Sequence, residues 1–444
     1  MADRDDVTAR VGLPLVIETA RAFRLDTKAR ELFGPPRRKK DFGADAKLEA
    51  FYALIAAGGD RVADIRILAE DKGLMRLLDR QFPSGDALLD FLRDCHDEKC
   101  WEDRPKKKKA FVPPESAGLK ALDKLNRELV HRAADPKTTV ATIDHDGTII
   151  ESHKRDALVA YEGTRGYQPL VAVWAEEQLI VADEFRDGNV AGGEDPLSSV
   201  KRAFDNLPPS VNERYYRGDS ASYYAPLLKH LVAKEIAFGI TADMTKKLRA
   251  RCVALPERTW SQMEKRTRET LDLAEVEFEP GNWPKTAKPL RYVALRITPL
   301  QGEMFEKRPI KYFAVVSNRM EIGAPELIEW HRGKAGTIEH VHRNMKDELG
   351  AGVMPCREFG ANAAWFRINA ITHNLLTALK RHALPERYRL ARPKRLRFEI
   401  FSLPGKLANH EGQLAVGTSA PEERVEEIIA ARQRLLAIFE ADGR

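Results

Sequence analysis

The chain has 444 residues, of which 43% are hydrophobic and 32% charged, so it can form a folded core that spans roughly two to four domains. Lys and Arg number 73 and Asp and Glu 67, and the resulting net charge of +6 permits a nucleic-acid partner without requiring one. No apolar run approaches the roughly 20 residues of a membrane helix. The four cysteines exclude a disulfide scaffold, and the mixed, acidic N-terminus is unlike a secretory signal. We therefore expect a cytoplasmic protein.

The first part of the chain, residues 1–135, is predicted to be helical. Apolar residues recur at three- and four-residue spacing in 48–71 and again in 85–95. Two basic clusters beside prolines are predicted to be exposed loops, namely Arg37, Arg38, Lys39, Lys40 and Lys106, Lys107, Lys108, Lys109. Such clusters can contact phosphates, although a solvated linker explains them equally well.

Residues 136–255 follow a different pattern. Apolar, β-branched stretches at 138–143, 168–174 and 179–185 predict three antiparallel strands joined as a meander. A helix at 196–207, a strand at 214–217, a helix at 225–234 and a strand at 236–241 follow. The predicted order is β-β-β-α-β-α-β.

The rest of the chain divides into three further regions. Strict alternation of apolar and polar residues predicts a β-rich insertion at 256–312. A buried strand at 311–317 and a long helical region interrupted near 350 and 360 make up 313–385. The C-terminal region, 386–444, contains the basic stretch RPKRLR and an amphipathic helix.

Four carboxylates stand apart from the ordinary surface charges. Asp144 and Asp146 are two residues apart at a strand end, so both side chains point to one face. Asp219 follows Gly218 at the end of a later strand, and Glu339 lies in a helical segment. Carboxylates that converge from strand ends are typical ligands of Mg²⁺, although a single Asp-Gly more often forms a turn.

Cations share the helix of the fourth carboxylate. Lys346 lies seven residues after Glu339, which places the two on one helix face, and Arg343 is one turn away. This face suits a metal ligand beside a phosphate contact, and a solvated face with salt bridges is the alternative.

Cysteine and histidine residues are a further class of possible metal ligands. Cys95, His96 and Cys100 lack the second pair that a structural zinc site requires, so buried free thiols are favoured. His145 is predicted to point away from its two aspartates. His340 and His342 are interpreted as surface or phosphate-adjacent residues.

Taken together, these segments resemble the insertion-sequence DDE transposases. More narrowly, the chain is similar to the thirteen-eighty group within the wider IS-four-like set. The resemblance covers nearly the whole chain and rests on these motifs: LPLVIETARAF, AAGGDRVADIRIL, FPSGDALLDFLRDCHD, DHDGT, ESHKRDALVAYEGTRGYQPLVAVW, VADEFRDGNV, YYRGDSA, VVSNR, NAAWFRINAITHNLL and RLRFEIFSLPGKL.

The resemblance implies an α/β multidomain protein. Its parts would be an RNase H-like catalytic core, an inserted β-rich domain and a helical N-terminal DNA-binding domain. It further implies two Mg²⁺ ions, with Mn²⁺ as a substitute, which serve phosphodiester hydrolysis and transesterification. The expected partners are double-stranded DNA and a second protomer in the synaptic complex. The DNA would be the terminal inverted repeats of the element and the target DNA. The expected location is the cytoplasm, in association with the nucleoid.

The resemblance also assigns site residues. The first acid falls on Asp146, with Asp144 as its rival, the second on Asp219 and the third on Glu339. The family's helix pattern is Tyr-x₂-Arg-x₃-Glu-x₆-Lys, and Glu339 and Lys346 match its second half. The arginine position is Ala335, so Lys334 is a candidate for the phosphate contact.

Three points stay open. Trp283 and Trp260 are candidates for stacking on a DNA base. The alternative is that they are tryptophans in the core of the sheet. An inactive or domesticated DNA-binding relative is a second functional class. A structure-specific RNase H-like nuclease is a third.

Overall fold

The secondary structure follows the predicted pattern through most of the chain. The computed structural model describes residues 4–441 apart from 37, 39, 40, 106–108, 155, 156, 161, 282, 285–287, 301–308, 411 and 412. The α-helices α1 to α14 are, in order, Pro14–Ala22, Leu25–Phe33, Ala44–Ala56, Ile65–Ala69, Lys72–Leu78, Gly85–Arg93, Ala117–Ala133, Leu197–Asp205, Ala225–Ala233, Lys246–Val253, Ala324–Arg343, Phe359–His382, Pro393–Leu396 and Glu422–Ala441. The strands β1 to β15 are Val7–Thr8, Val140–Gly147, Ile150–Glu151, Leu158–Val159, Arg165–Tyr167, Leu170–Trp174, Leu179–Glu184, Glu213–Gly218, Ala237–Thr241, Ser261–Lys265, Glu269–Glu275, Arg291–Pro299, Lys311–Ser317, Gly405–His410 and Gln413–Thr418.

The centre of the fold is a mixed sheet. Strands β7, β6 and β2 are antiparallel neighbours, and β8 and β9 lie parallel to β2 on its other side. The spatial order β7-β6-β2-β8-β9 is the 3-2-1-4-5 order of an RNase H-like core. The predicted meander and the α/β fold class are therefore confirmed.

The β-rich insertion extends this same sheet. Strand β13 pairs with β9 on one side and with β12 on the other, and β11 and β10 continue the row. The described residues thus form one nine-stranded sheet, where the sequence predicted an inserted domain. Apolar side chains of β11 to β13, among them Val293 and Val315, pack against Leu327 and Ile328 of α11.

The helices of 1–135 share a hydrophobic core with the rest of the molecule. Helix α12 is buried along nearly its whole length, from Gly360 to Leu379. It packs against the helices α1, α3, α6 and α7 and against strand β7 of the central sheet. The N-terminal helices and the central sheet are therefore joined through α12.

Two small β elements do not follow from the sequence pattern. Strands β3, β5 and β4 form a three-stranded sheet, and β1 joins the hairpin of β14 and β15. Strands β1, β3, β4 and β5 have only two or three residues, and β14 exposes most of its side chains. Such strands show little alternation of apolar and polar residues in the sequence. None of the described helices combines the length and apolarity of a membrane span.

Candidate active site

Strand β2 directs its two aspartates towards helix α11 and the residue between them to the opposite face. His145 Nε2 lies 3.2 Å from Ser199 Oγ of α8, whereas Asp144 and Asp146 contact residues of α11. The predicted alternation along this strand is therefore confirmed.

Asp144 is fully buried and held in an internal ion pair. Arg217 lies directly beside it on β8 and donates from Nε to Oδ1 at 2.6 Å and from Nη2 to Oδ2 at 2.8 Å. The Thr337 hydroxyl donates to the same carboxylate. No sequence pattern indicates Arg217 or Thr337 as a partner of Asp144, because the Arg217 contact depends on the register of β8 against β2.

Asp146 and Asp219 have a different environment. Asp146 Oδ2 lies 3.1 Å from Lys334 Nζ, and Oδ1 accepts from the Gly147 amide at 2.9 Å. Asp219, just after β8, accepts from the Ala221 amide at 3.1 Å. Burial raises the pKa of Asp219, and the charge of Asp146 adds to this effect while Lys334 opposes it. The two carboxylates thus lie close to each other and share a cationic neighbour.

Lys334 is the cation of this cluster, and it is only 9% exposed. Its neighbour Ala335, at the arginine position of the family pattern, is exposed. Lys334 therefore contacts the carboxylate of Asp146, whereas the family pattern made it a candidate for a phosphate contact. Arg217 also reaches α11, where Nη1 donates to the Trp330 carbonyl at 2.7 Å.

Two histidines of α11 face the same side. His331 Nε2 lies 3.1 Å from the Gly218 carbonyl oxygen. His342 was interpreted as a surface or phosphate-adjacent residue; its Nε2 is buried and has no hydrogen-bond partner among the described residues. Burial lowers the pKa of His342 to about 4, although the nearby charge of Asp146 acts to raise it. His342 is therefore a neutral imidazole at pH 7, on the inner face of the helix.

Glu339 and Arg343 are exposed on α11. Lys346 lies in the π-helical turn Asn344–Glu348, and its Nζ donates to the Ile149 carbonyl at 2.8 Å, just after Asp146-Gly147. In the described part of the chain, no three His, Cys, Asp or Glu side chains already form a cluster that could hold a metal ion. The pair of Asp146 and Asp219 is the carboxylate centre that the structure brings together.

The candidate base-stacking residues lie near the extended sheet. Trp283 is 7% exposed, and its indole N–H donates to the Lys288 carbonyl at 3.1 Å. Trp260 is half-buried, with the Arg296 guanidinium 4.6 Å from its ring centre. Trp283 is therefore a core residue in this conformation, and stacking on a base would require it to become exposed.

The basic clusters are only partly described. Arg38 and Lys109 are exposed, whereas Arg37, Lys39, Lys40, Lys106, Lys107 and Lys108 lie outside the described residues. Cys95, Cys252 and Cys356 are buried free thiols, as the sequence favoured, whereas Cys100 is a free thiol that is only partly buried.

Comparisons with known proteins bear on the family. The family model described as "Transposase DDE domain group 1" matches residues 2–436. Among solved structures, the chain is similar to the one titled "Cryo-EM structure of piggyBac transposase synaptic complex with hairpin DNA (SNHP)". The two sequences are 13% identical, the match covers 98% of this chain and 84% of that chain, and the TM-score is 0.46. No curated protein matches. From the family match over nearly its whole length, the chain belongs to the transposase DDE domain group 1 family and is a DNA transposase, an enzyme that cleaves DNA and transfers its strands.

Proposed function

We propose that this chain is an insertion-sequence transposase of the thirteen-eighty group and that Asp146, Asp219 and Glu339 are its metal ligands. The observation that carries the proposal is the placement of Asp146 and Asp219 at the ends of the neighbouring strands β2 and β8, where Lys334 pairs with Asp146 and its charge also acts on Asp219. Asp144 is excluded as a ligand in this proposal because Arg217 and Thr337 already occupy its carboxylate oxygens.

The donor set fits a divalent cation. Mg²⁺ and Mn²⁺ bind carboxylate oxygens and keep water for a phosphate substrate. Asp146 is already paired with a cation, Lys334, whose charge also acts on Asp219. When bound, a pair of such ions would activate the attacking oxygen and stabilise the leaving oxygen of a phosphodiester. Glu339, exposed on α11, is the third ligand in this proposal.

The residues around the carboxylates would hold DNA. Arg343 is exposed one turn from Glu339, and Lys346 supports the turn that follows Asp146. The clusters at 37–40 and 106–109 would contact phosphates of the terminal inverted repeats, and binding that rests on them weakens as salt rises. Two protomers would bring two DNA ends together in a nucleoid-associated complex.

The test is a supercoiled plasmid that carries the inverted repeats flanking the coding sequence, incubated with the protein and Mg²⁺ or Mn²⁺. We expect cleavage at the repeat ends and joined products. Asp146→Asn and Asp219→Asn should each reduce cleavage at least about a hundredfold, because each removes a metal-binding carboxylate. Cleavage by either variant at the parental rate would contradict the site assignment.

The same assay separates the alternatives. Binding of the repeats without cleavage would identify an inactive or domesticated relative. Cleavage without joined products would identify a structure-specific nuclease. Salt dependence of binding, measured with Lys109→Gln beside the parent, tests whether the second basic cluster contacts phosphates.

A further inference from the structure

Helix α10 exposes a dense group of positive charges. Four of its eight residues, the α10 cations, are exposed: Lys246, Lys247, Arg249 and Arg251. Leu248 and Cys252, one turn apart, are buried and anchor the opposite side of the helix in the core. From residue 243 to residue 256, the chain contains these four cations and a single acid, Asp243. The solvent side of α10 is therefore strongly positive.

The α10 cations are not neutralised by the protein itself. In the described part of the chain, none of the four has an ion-pair partner. Exposed arginines of other helices do have such partners, as Arg30 of α2 has in Asp26 at 2.7 Å. Glu257, the first acid after α10, pairs with Arg296 instead. The charge of α10 is thus available to a partner outside the chain.

Helix α10 begins at the edge of the sheet that carries Asp219. Strand β9 lies parallel to β8 with Ile240 opposite Gly218, so β9 ends beside the residue that precedes Asp219. His331 of α11 connects the two strand ends, because its Nε2 is 3.1 Å from the Gly218 carbonyl oxygen and 3.5 Å from Thr241 Oγ1. Four residues separate Thr241 from the first residue of α10. These contacts place the start of α10 on the catalytic edge of the sheet.

We propose that α10 binds the phosphate backbone of the DNA duplex that is cut at the carboxylate centre. This inference rests on the proposed function and adds a DNA contact beyond the clusters at 37–40 and 106–109. A phosphate backbone fits because its negative charges are dense, and cations that neutralise them release condensed counterions. Such contacts position a duplex without reading its sequence. Because α10 lies at the catalytic edge, the bound phosphates should be those around the cleavage position.

Two of the four cations should contribute most to this binding. Lys247 borders an open groove that is also lined by Glu277 and Glu279, and these carboxylates repel a phosphate. Lys246 and Arg249 are one helical turn apart and do not line that groove. The pair of Lys246 and Arg249 is therefore the part of α10 to test.

The experiment measures how the affinity for DNA depends on salt, with the full-length protein in metal-free buffer that prevents cleavage. One duplex ends inside the inverted repeat, and a longer one extends a helical turn beyond its outer end. On the longer duplex, Lys246→Gln/Arg249→Gln should lower the slope of log K against log salt concentration by about 2, one for each lost phosphate contact. On the shorter duplex, this variant should have the parental slope.

Lys229→Gln/Lys234→Gln is the matched control. It also removes two exposed positive charges, but Lys234 lies just before β9, at the opposite edge of the sheet. The control should have the parental slope on both duplexes. Glutamine has nearly the helix propensity of lysine and arginine, so both double variants should keep the fold.

The outcomes distinguish this inference from the proposed function. A parental slope of the α10 variant on the longer duplex, or an equal loss in the control or on the shorter duplex, would overturn the role of α10, even where the parent cleaves and joins DNA. A loss confined to the α10 variant and the longer duplex would support it, even if Asp146→Asn cuts at the parental rate and so contradicts the metal site. Failure of the parent to bind either duplex would overturn both.

Discussion

Asp144 and Asp146 lie two residues apart on one face of β2, yet their side chains have opposite surroundings. Asp144 is fully buried and paired with Arg217, whereas the Asp146 side chain is 26% exposed and contacts Lys334. A buried ion pair is costly to break, because the remaining charge has no partner. We therefore infer a structural role for the first aspartate and a chemical role for the second.

This difference predicts opposite effects of two matched substitutions. Asp144→Asn should lower the free energy of unfolding by about 3–5 kcal/mol, because the buried Arg217 loses its counter-charge. Asp146→Asn should change the free energy of unfolding by less than about 1 kcal/mol, because the ion pair of Asp146 with Lys334 is partly exposed to solvent. The same substitution should remove Mn²⁺ binding. Urea unfolding and Mn²⁺ titration of both variants measure the two effects. Equal stability of the two variants would contradict the assignment.

At the scale of elements, helix α11 is the part of the fold that completes the site. It brings Lys334, Thr337 and His342 to the edge of β2 and β8, and its close approach depends on Gly333. A Cβ atom at Gly333 would lie 2.5 Å from Arg217 Nη1, whose guanidinium is fixed by Asp144 and the Trp330 carbonyl. A Cβ atom at Gly336, one turn later, would have nothing within 4 Å.

The two glycines therefore give a matched pair for alanine substitution. Gly333→Ala should destabilise the protein by about 1–3 kcal/mol, because the helix or the Arg217 side chain must shift. Gly336→Ala should stabilise it by up to about 1 kcal/mol, because alanine favours the helix and meets no obstacle. Thermal unfolding of both variants against the parent checks the signs. A stabilising effect at both positions would show that α11 does not need close contact with Arg217.

At the scale of the whole molecule, a partly buried charge network joins the N-terminal helices to the catalytic sheet. Glu115, just before α7, pairs with Arg202 of α8 and with Arg367 of α12 at 2.7 Å. Arg367 also pairs with Asp183 of β7 at 2.9 Å. Burial acts to raise the pKa of Glu115, but Arg367 and Arg202 outweigh it and lower the pKa to about 2.

This network predicts an acid-sensitive part of the stability. Because the pKa of Glu115 is lower in the folded chain than the ordinary 4.5, its contribution is fully present above pH 4.5 and is lost as the pH falls towards 2. The stability difference between the parent and Glu115→Gln should thus shrink by about 2 kcal/mol between pH 6 and pH 3. Urea unfolding of both proteins at each pH measures this stability difference. A difference that stays constant with pH would contradict an origin in the ion pairs of Glu115.

Much of the architecture could be predicted because its signals are local. Alternation and turn residues indicated β2, β6 and β7 and their antiparallel order, and Asp146 and Asp219 were recognised at the ends of strands that the structure places side by side. The family match confirms the transposase assignment, whereas the roles of Glu339, Arg343 and Lys346 stay predictions. The spacing of Glu339 and Lys346 assumed a regular helix, and the π-helical turn at Asn344–Glu348 interrupts that spacing.

The sequence by itself determined the order of strands and helices and the positions of the acids along them, because periodicity, turns and motifs depend on near neighbours in the chain. Only the tertiary structure decided which of the two aspartates is enclosed, since Arg217 reaches Asp144 through the register of β8 against β2. It also decided that β10 to β13 continue the central sheet and that the Nε2 atom of His342 is buried. These properties arise from contacts between residues far apart in the chain, which no local pattern records.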